Sequence, residues 1–77
     1  MPDLVLYQFP SCPFCRRVLH YIQQRGLDIP IRDTMMDPGA REELIEIGGS
    51  SQVPCLVIDG EALYESMDII AWLDQNV

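Results

Sequence analysis

The chain predicts an α/β fold, a four-stranded mixed sheet flanked by three helices in the order β-α-β-α-β-β-α. Three observations carry that reading. Leu4-Val5-Leu6-Tyr7-Gln8-Phe9 is a short, nearly continuous apolar run, as expected of a strand buried on both faces. The apolar spacing then turns helical before a second strand-like run, and a parallel pair of strands needs such a crossover. Finally, Asp59-Gly60 lies between two short runs of strand character, a strong signal for a two-residue hairpin.

Each element has its own local cause. Pro10 ends the first strand, which is the most apolar and belongs in the interior of the sheet. The first helix starts at Pro13, which suits the first helical position, and ends at Gly26. It carries Val18, Leu19 and Ile22 inward, with Arg16, Arg17, His20 and Gln23 mostly elsewhere around the wheel. Ile29-Pro30-Ile31-Arg32-Asp33 predicts the second strand, and Pro30 removes a ladder donor, which places that strand at an edge. Asp37-Pro38 opens a second helix with aspartate as its cap; Ala40, Leu44 and Ile47 form its inner stripe, and Gly48-Gly49 stops it. Cys55–Ile58 and Glu61–Tyr64 form the hairpin. Ser66 then caps a last helix with Ile69, Ile70 and Leu73 turned inward.

With 77 residues the chain has room for one domain, residues 1–77, and one modest core. The net charge of −7 comes from twelve acidic side chains against five basic ones, all arginine. Nothing resembles a basic stripe, which argues against a nucleic-acid partner. No apolar stretch reaches the length of a membrane span, so no membrane partner is expected either. The start of the chain lacks a basic segment and a long apolar segment of the signal-peptide kind. Three cysteines form an odd set. Together these features predict a cytoplasmic, reducing setting, in which a close cysteine pair points to redox or metal chemistry.

That pair is Cys12-Pro13-Phe14-Cys15, placed where a buried strand turns into a helix. With Pro13 as first helical residue, Cys12 takes the N-cap. Its sulfur is then within reach of the free N–H groups of Phe14 and Cys15 and of the positive end of the helix dipole. Both effects favour thiolate over thiol, and the thiolate is the reactive species. Arg16 and Arg17, one turn on, add positive potential. Cys15 lies inside the helix on the same face, more buried and harder to ionise, which assigns it the resolving role. Zinc normally needs four ligands; the candidates here are Cys12, Cys15, Cys55 and His20 at most, and His20 reads as a solvated helix residue, so no metal is expected. Cys55, directly after Pro54, reads as a core residue.

The combination of Tyr7-Gln8-Phe9, Cys12-Pro13-Phe14-Cys15, Val53-Pro54 and Glu65-Ser66 resembles glutaredoxins and the thioredoxin-like N-terminal domain of glutathione transferases. The resemblance spans nearly the whole chain and implies a thioredoxin-like (glutaredoxin) fold. It implies a cis bond between Val53 and Pro54, with the backbone of Val53 pairing with the cysteinyl part of glutathione and Pro54 facing Cys12. It also implies that Glu65 and Ser66, at the start of the last helix, receive the γ-glutamyl end, with Tyr7, Phe14 and Arg16 as further glutathione contacts. Ser66 is at the same time an ordinary helix cap, and the two roles are compatible. Two positions depart from the glutaredoxin pattern. Phe9 stands where many glutaredoxins carry a lysine, leaving Arg16 or Arg41 to supply that charge, and Phe14 replaces the usual tyrosine.

The implied function is glutathione-dependent thiol-disulfide exchange by a Cys12/Cys15 dithiol. The expected partners are glutathione, its reductant, and disulfide-containing or glutathionylated proteins, with the chain acting as a monomer. Two other readings stay open. One is a transferase-like domain that binds glutathione or a protein without turnover. The other is an iron-sulfur carrier, a role in which the second motif cysteine is usually a serine.

Overall fold

A computed structural model describes residues 3–77; Met1 and Pro2, part of the span assigned above to one domain, lie outside the described residues. The order is β1 (Leu4–Gln8), α1 (Pro13–Arg25), β2 (Ile31–Asp33), α2 (Pro38–Gly48), β3 (Cys55–Ile58), β4 (Glu61–Tyr64) and α3 (Ser66–Asn76). The strands form one sheet in the order β2-β1-β3-β4. β1 pairs parallel with β2 and antiparallel with β3, and β3 pairs antiparallel with β4. The most apolar strand is therefore interior. Pro30 lies just before β2 at the sheet edge, and its carbonyl still accepts from the Leu6 N–H at 2.9 Å.

Period-two alternation sorts β1 between two layers. Leu4 and Leu6 turn toward α1 and α3, where they meet Val18, Ile22, Ile69 and Leu73. Tyr7 turns the other way and packs with Ala40 and Leu44 of α2 and with Cys55 and Val57 of β3. Leu6, Leu56, Ile69 and Leu73 are fully buried, each contributing about 1.5–3 kcal/mol relative to exposure. Asp59 and Gly60 both take positive φ, 49° and 86°, the backbone that a two-residue hairpin of this twist requires.

Three sequence expectations need correction. Ile47 is exposed, because the inner stripe of α2 runs from Ala40 through Leu44 to Gly48. At Gly48 the Tyr64 phenol packs so closely that a Cβ would overlap it. The cap of α3 is Glu65, not Ser66; Ser66 is the first helical residue and is itself buried. β1 and β2 are also shorter than read from the sequence, ending at Gln8 and starting at Ile31.

Candidate functional site

The strand-to-helix junction holds the cysteine pair as expected. Cys12 occupies the N-cap of α1 in an extended conformation, and Pro13 follows as an early helical residue. The backbone turns tightly into the helix: the Cys12 N–H donates to the Phe9 carbonyl at 3.2 Å, and the Arg16 N–H donates to the Cys12 carbonyl at 3.0 Å. One expectation fails in detail. The Cys12 sulfur accepts no capping hydrogen bond from the first turn, consistent with a thiol being a weak acceptor.

The two cysteines are free thiols in unequal settings. Cys12 is half-buried, whereas Cys15 is fully buried among the core side chains. Burial pushes the Cys15 thiol up to about 12, opposed by a hydrogen bond from the Phe9 backbone and reinforced by the Cys12 sulfur and by Asp33. Cys55 is also fully buried, with its thiol pushed up to about 11, but it faces α2 on the other side of the sheet. Cys15 therefore holds its proton beside Cys12; Cys55 holds its own away from both.

Next to the pair lies a cleft of about 260 Å³, lined by Phe14, Gln52, Val53, Pro54, Glu65 and Ser66. The Val53-Pro54 bond is cis, as the resemblance implied. Glu65 has φ 72° and ψ 121°, a backbone that is sparsely populated for any residue but glycine and costs on the order of 1–3 kcal/mol. Its Oε1 accepts from Gln52 Nε2 at 3.2 Å, which links the segment before the cis proline to the start of α3. Gln52 escaped the sequence reading, where it was only the end of a polar stretch; its place beside Val53-Pro54 was the available signal.

Five of the residues assigned to glutathione thus share one cleft: Phe14, Val53, Pro54, Glu65 and Ser66. Two do not. Tyr7 is buried against α2, with its hydroxyl 3.5 Å from Glu43; burial raises its pKa first and the Glu43 charge adds to the shift. Arg16 turns to the outer face of α1, where its Nε donates to the Pro10 carbonyl at 3.0 Å.

The family "Glutathione S-transferase, N-terminal domain" matches residues 6–77, a stretch that takes in the cysteine pair, the cis proline and the start of α3. The chain belongs to that family. It is also similar to a glutaredoxin of Pseudomonas aeruginosa, 35% identical over 54 residues, which are 70% of this chain and 64% of that one. An uncharacterized glutaredoxin-like 8.6 kDa protein in the rubredoxin operon of Clostridium pasteurianum is 29% identical over 58 residues, 75% of this chain and 77% of that one. Among solved structures, the thioredoxin-like protein BC3987 superposes with a TM-score of 0.80 at 28% identity, covering 96% of this chain and 99% of that one. The fold of this transferase-family chain is thioredoxin-like, and its relatives support a redox or transferase-like role. Among the described residues, no helix is long and apolar enough to cross a membrane.

Proposed function

We propose that the chain is a thiol-disulfide oxidoreductase that uses glutathione and acts through Cys12 and Cys15. The unequal pair carries this reading: one sulfur half-exposed at the start of α1, the other buried beside it and held protonated. The Cys12 thiolate attacks a disulfide sulfur, forming a mixed disulfide while the other substrate sulfur leaves as a thiolate and takes up a proton. Burial is the main reason Cys15 keeps its proton; the free Cys12 sulfur adds to it, and that lesser part lapses once the sulfur is bonded to substrate. Cys15 then attacks Cys12, its proton passing to the departing substrate sulfur. The second substrate thiol departs, and the enzyme is left with a Cys12-Cys15 disulfide. Two molecules of glutathione return it to the dithiol and become glutathione disulfide, so that two electrons pass from glutathione to substrate.

The cleft supports glutathione as the small thiol. The backbone of Val53 beside the cis proline suits its cysteinyl part, and Glu65 suits its ammonium group. The Ser66 hydroxyl and the N–H groups opening α3 suit a carboxylate. Tyr7 and Arg16 play no direct part in this version of the site.

The test is glutathione-coupled reduction of a small mixed disulfide. Cys12→Ser is expected to be inactive. Cys15→Ser should retain turnover on glutathionylated substrates, since a second glutathione can release the mixed disulfide. Activity that survives Cys12→Ser overturns the assignment of roles.

The cleft and the transferase family also favour a second reading, a domain that binds glutathione without turnover. A wild-type chain that is inert in the coupled assay yet still binds glutathione selects it.

A further inference from the structure

The outer face of α1 carries a second, shallow hollow of about 570 Å³, lined by Pro13, Arg16, Arg17, Leu19, His20 and Gln23. No carboxylate lines it, although acidic side chains outnumber arginines twelve to five in the chain. The contrast with two of the other three arginines is informative. Arg25 pairs with Asp74 at 3.0 Å, and Arg32 pairs with Asp37 at 2.9 Å and Glu43 at 2.6 Å. Arg16 and Arg17 are held by neutral atoms instead: Arg16 Nε donates to the Pro10 carbonyl, and Arg17 Nη1 lies 3.6 Å from Met67 Sδ. Both guanidinium groups are thus positioned without a salt bridge to any carboxylate among the described residues.

The place of the hollow matters as much as its sign. It begins at Pro13, the residue after Cys12, and Arg17 ties it to the start of α3. Met67, which Arg17 contacts, is 61% exposed and offers apolar contact at the same end of the molecule. A surface this open cannot enclose a small anion, since small-ligand sites bury most of their ligand. It suits an extended segment of a macromolecule.

We propose that this face of α1 docks an acidic polypeptide segment of the protein whose disulfide Cys12 attacks, an inference that rests on the redox reading above. Against a net charge of −7, a basic face beside the cysteine pair orients acidic partners with their disulfide at Cys12. Charge matching of this kind governs encounter rate and orientation more than affinity.

The experiment compares two disulfide-bearing peptides that differ only in having glutamate or lysine flanks. Wild type should reduce the glutamate peptide with a kcat/KM roughly tenfold higher at low ionic strength. Exposed charges are screened over about 8 Å at physiological salt and about 3 Å at 1 M, so the gap should close as salt is raised. The double variant His20→Glu/Gln23→Glu, which places carboxylates in the hollow, should lose the gap while reducing the neutral 2-hydroxyethyl disulfide at the wild-type rate. Equal rates on the two peptides, or a preference for lysine, overturn the proposal. If no disulfide is reduced at all, it is the redox reading that has failed. Docking is then decided by fluorescence anisotropy with the same peptides carrying serine for cysteine. Binding of the glutamate peptide by wild type but not by the double variant supports the acidic partner; no difference between the two proteins rejects it.

Discussion

Two helices of this protein begin alike and end up with different duties. α1 opens with Cys12-Pro13 and α2 with Asp37-Pro38, each a cap residue in extended backbone followed by proline. At α2 every local group is engaged. The Asp37 carboxylate accepts from the Gly39 and Ala40 N–H groups and pairs with Arg32, which also reaches Glu43. Its pKa is lowered, first by the hydrogen bond from Arg32. At α1 the cap sulfur takes no such bond, and the neighbouring start of α3 has Glu65 at positive φ with no cap from its side chain. The comparison separates a region built to stay closed from one with bonding capacity in reserve. Sites that bind or react draw on the second kind, where local stability has been forgone.

The largest test of that contrast uses alkali, because each side of the sheet hides one fully buried thiol. Cys15 is pushed up to about 12 and Cys55 to about 11, both mainly by burial, against an ordinary value of 9.0. Below pH 9 both thiols are protonated whether the chain is folded or not, so their contribution to stability is complete. Above it the unfolded chain releases protons that the folded chain retains, and stability falls as pH rises toward 11–12. Tyr7 and Tyr64, raised chiefly by burial, act in the same direction. The melting temperature under reducing conditions should therefore decline steeply once pH passes 9. The Cys12-Cys15 disulfide removes the Cys15 share, and Cys55→Ala removes the share on the α2 side. Equal slopes for the reduced, oxidised and Cys55→Ala proteins would contradict the unequal protonation on which the site argument depends.

A smaller effect probes packing on the α2 side alone. A Cβ at Gly48 would overlap the Tyr64 phenol oxygen and lie 3.1 Å from the Ala62 Cβ. Helix propensity favours alanine there by about 0.8–1.0 kcal/mol. Overpacking opposes it by about 1–3 kcal/mol. Overpacking should win, because the Tyr64 ring is rigid and its strand is fixed opposite Cys55. Urea titration of Gly48→Ala should show a net loss of stability, and adding Tyr64→Phe should recover part of it by removing the overlapping oxygen. Independent, additive effects of the two changes would mean that the contact is relieved by other movements.

Much of this arrangement was legible in the sequence because it follows from local chemistry. Pro30 marks an edge, Asp59-Gly60 marks a turn, and the strand-helix junction places Cys12 at a cap. What escaped depends on neighbours distant in sequence. A continuous apolar run does not reveal its faces, so nothing in Leu4–Phe9 disclosed that Tyr7 points to α2 and away from the cleft. Ile47 was misplaced because the stripe of α2 closes on Gly48, a position that makes sense only once the Tyr64 ring is present. Serine is a favoured capping residue and so points to Ser66; a glutamate at positive φ has no propensity signal to announce it. Arg16 looked available to the ligand until the carbonyl of Pro10 claimed its Nε.

The smallest predicted effect concerns the two caps themselves. Asp37→Ala removes an acceptor for two first-turn N–H groups together with the partner of Arg32, and should lower the melting temperature by several degrees. Cys12→Ala removes a sulfur that caps nothing, so the shift should stay within about 1 °C. Serine at the same position offers a better acceptor than a thiol, and Cys12→Ser should match or exceed the wild-type melting temperature while losing its activity. That combination is the sharpest form of the contrast, because a residue kept for stability cannot be replaced by a better cap and leave the fold stronger but inert. A melting temperature for Cys12→Ser well below that of wild type would show that the sulfur supports the helix after all, and the two helix starts would then differ in residue type and not in purpose.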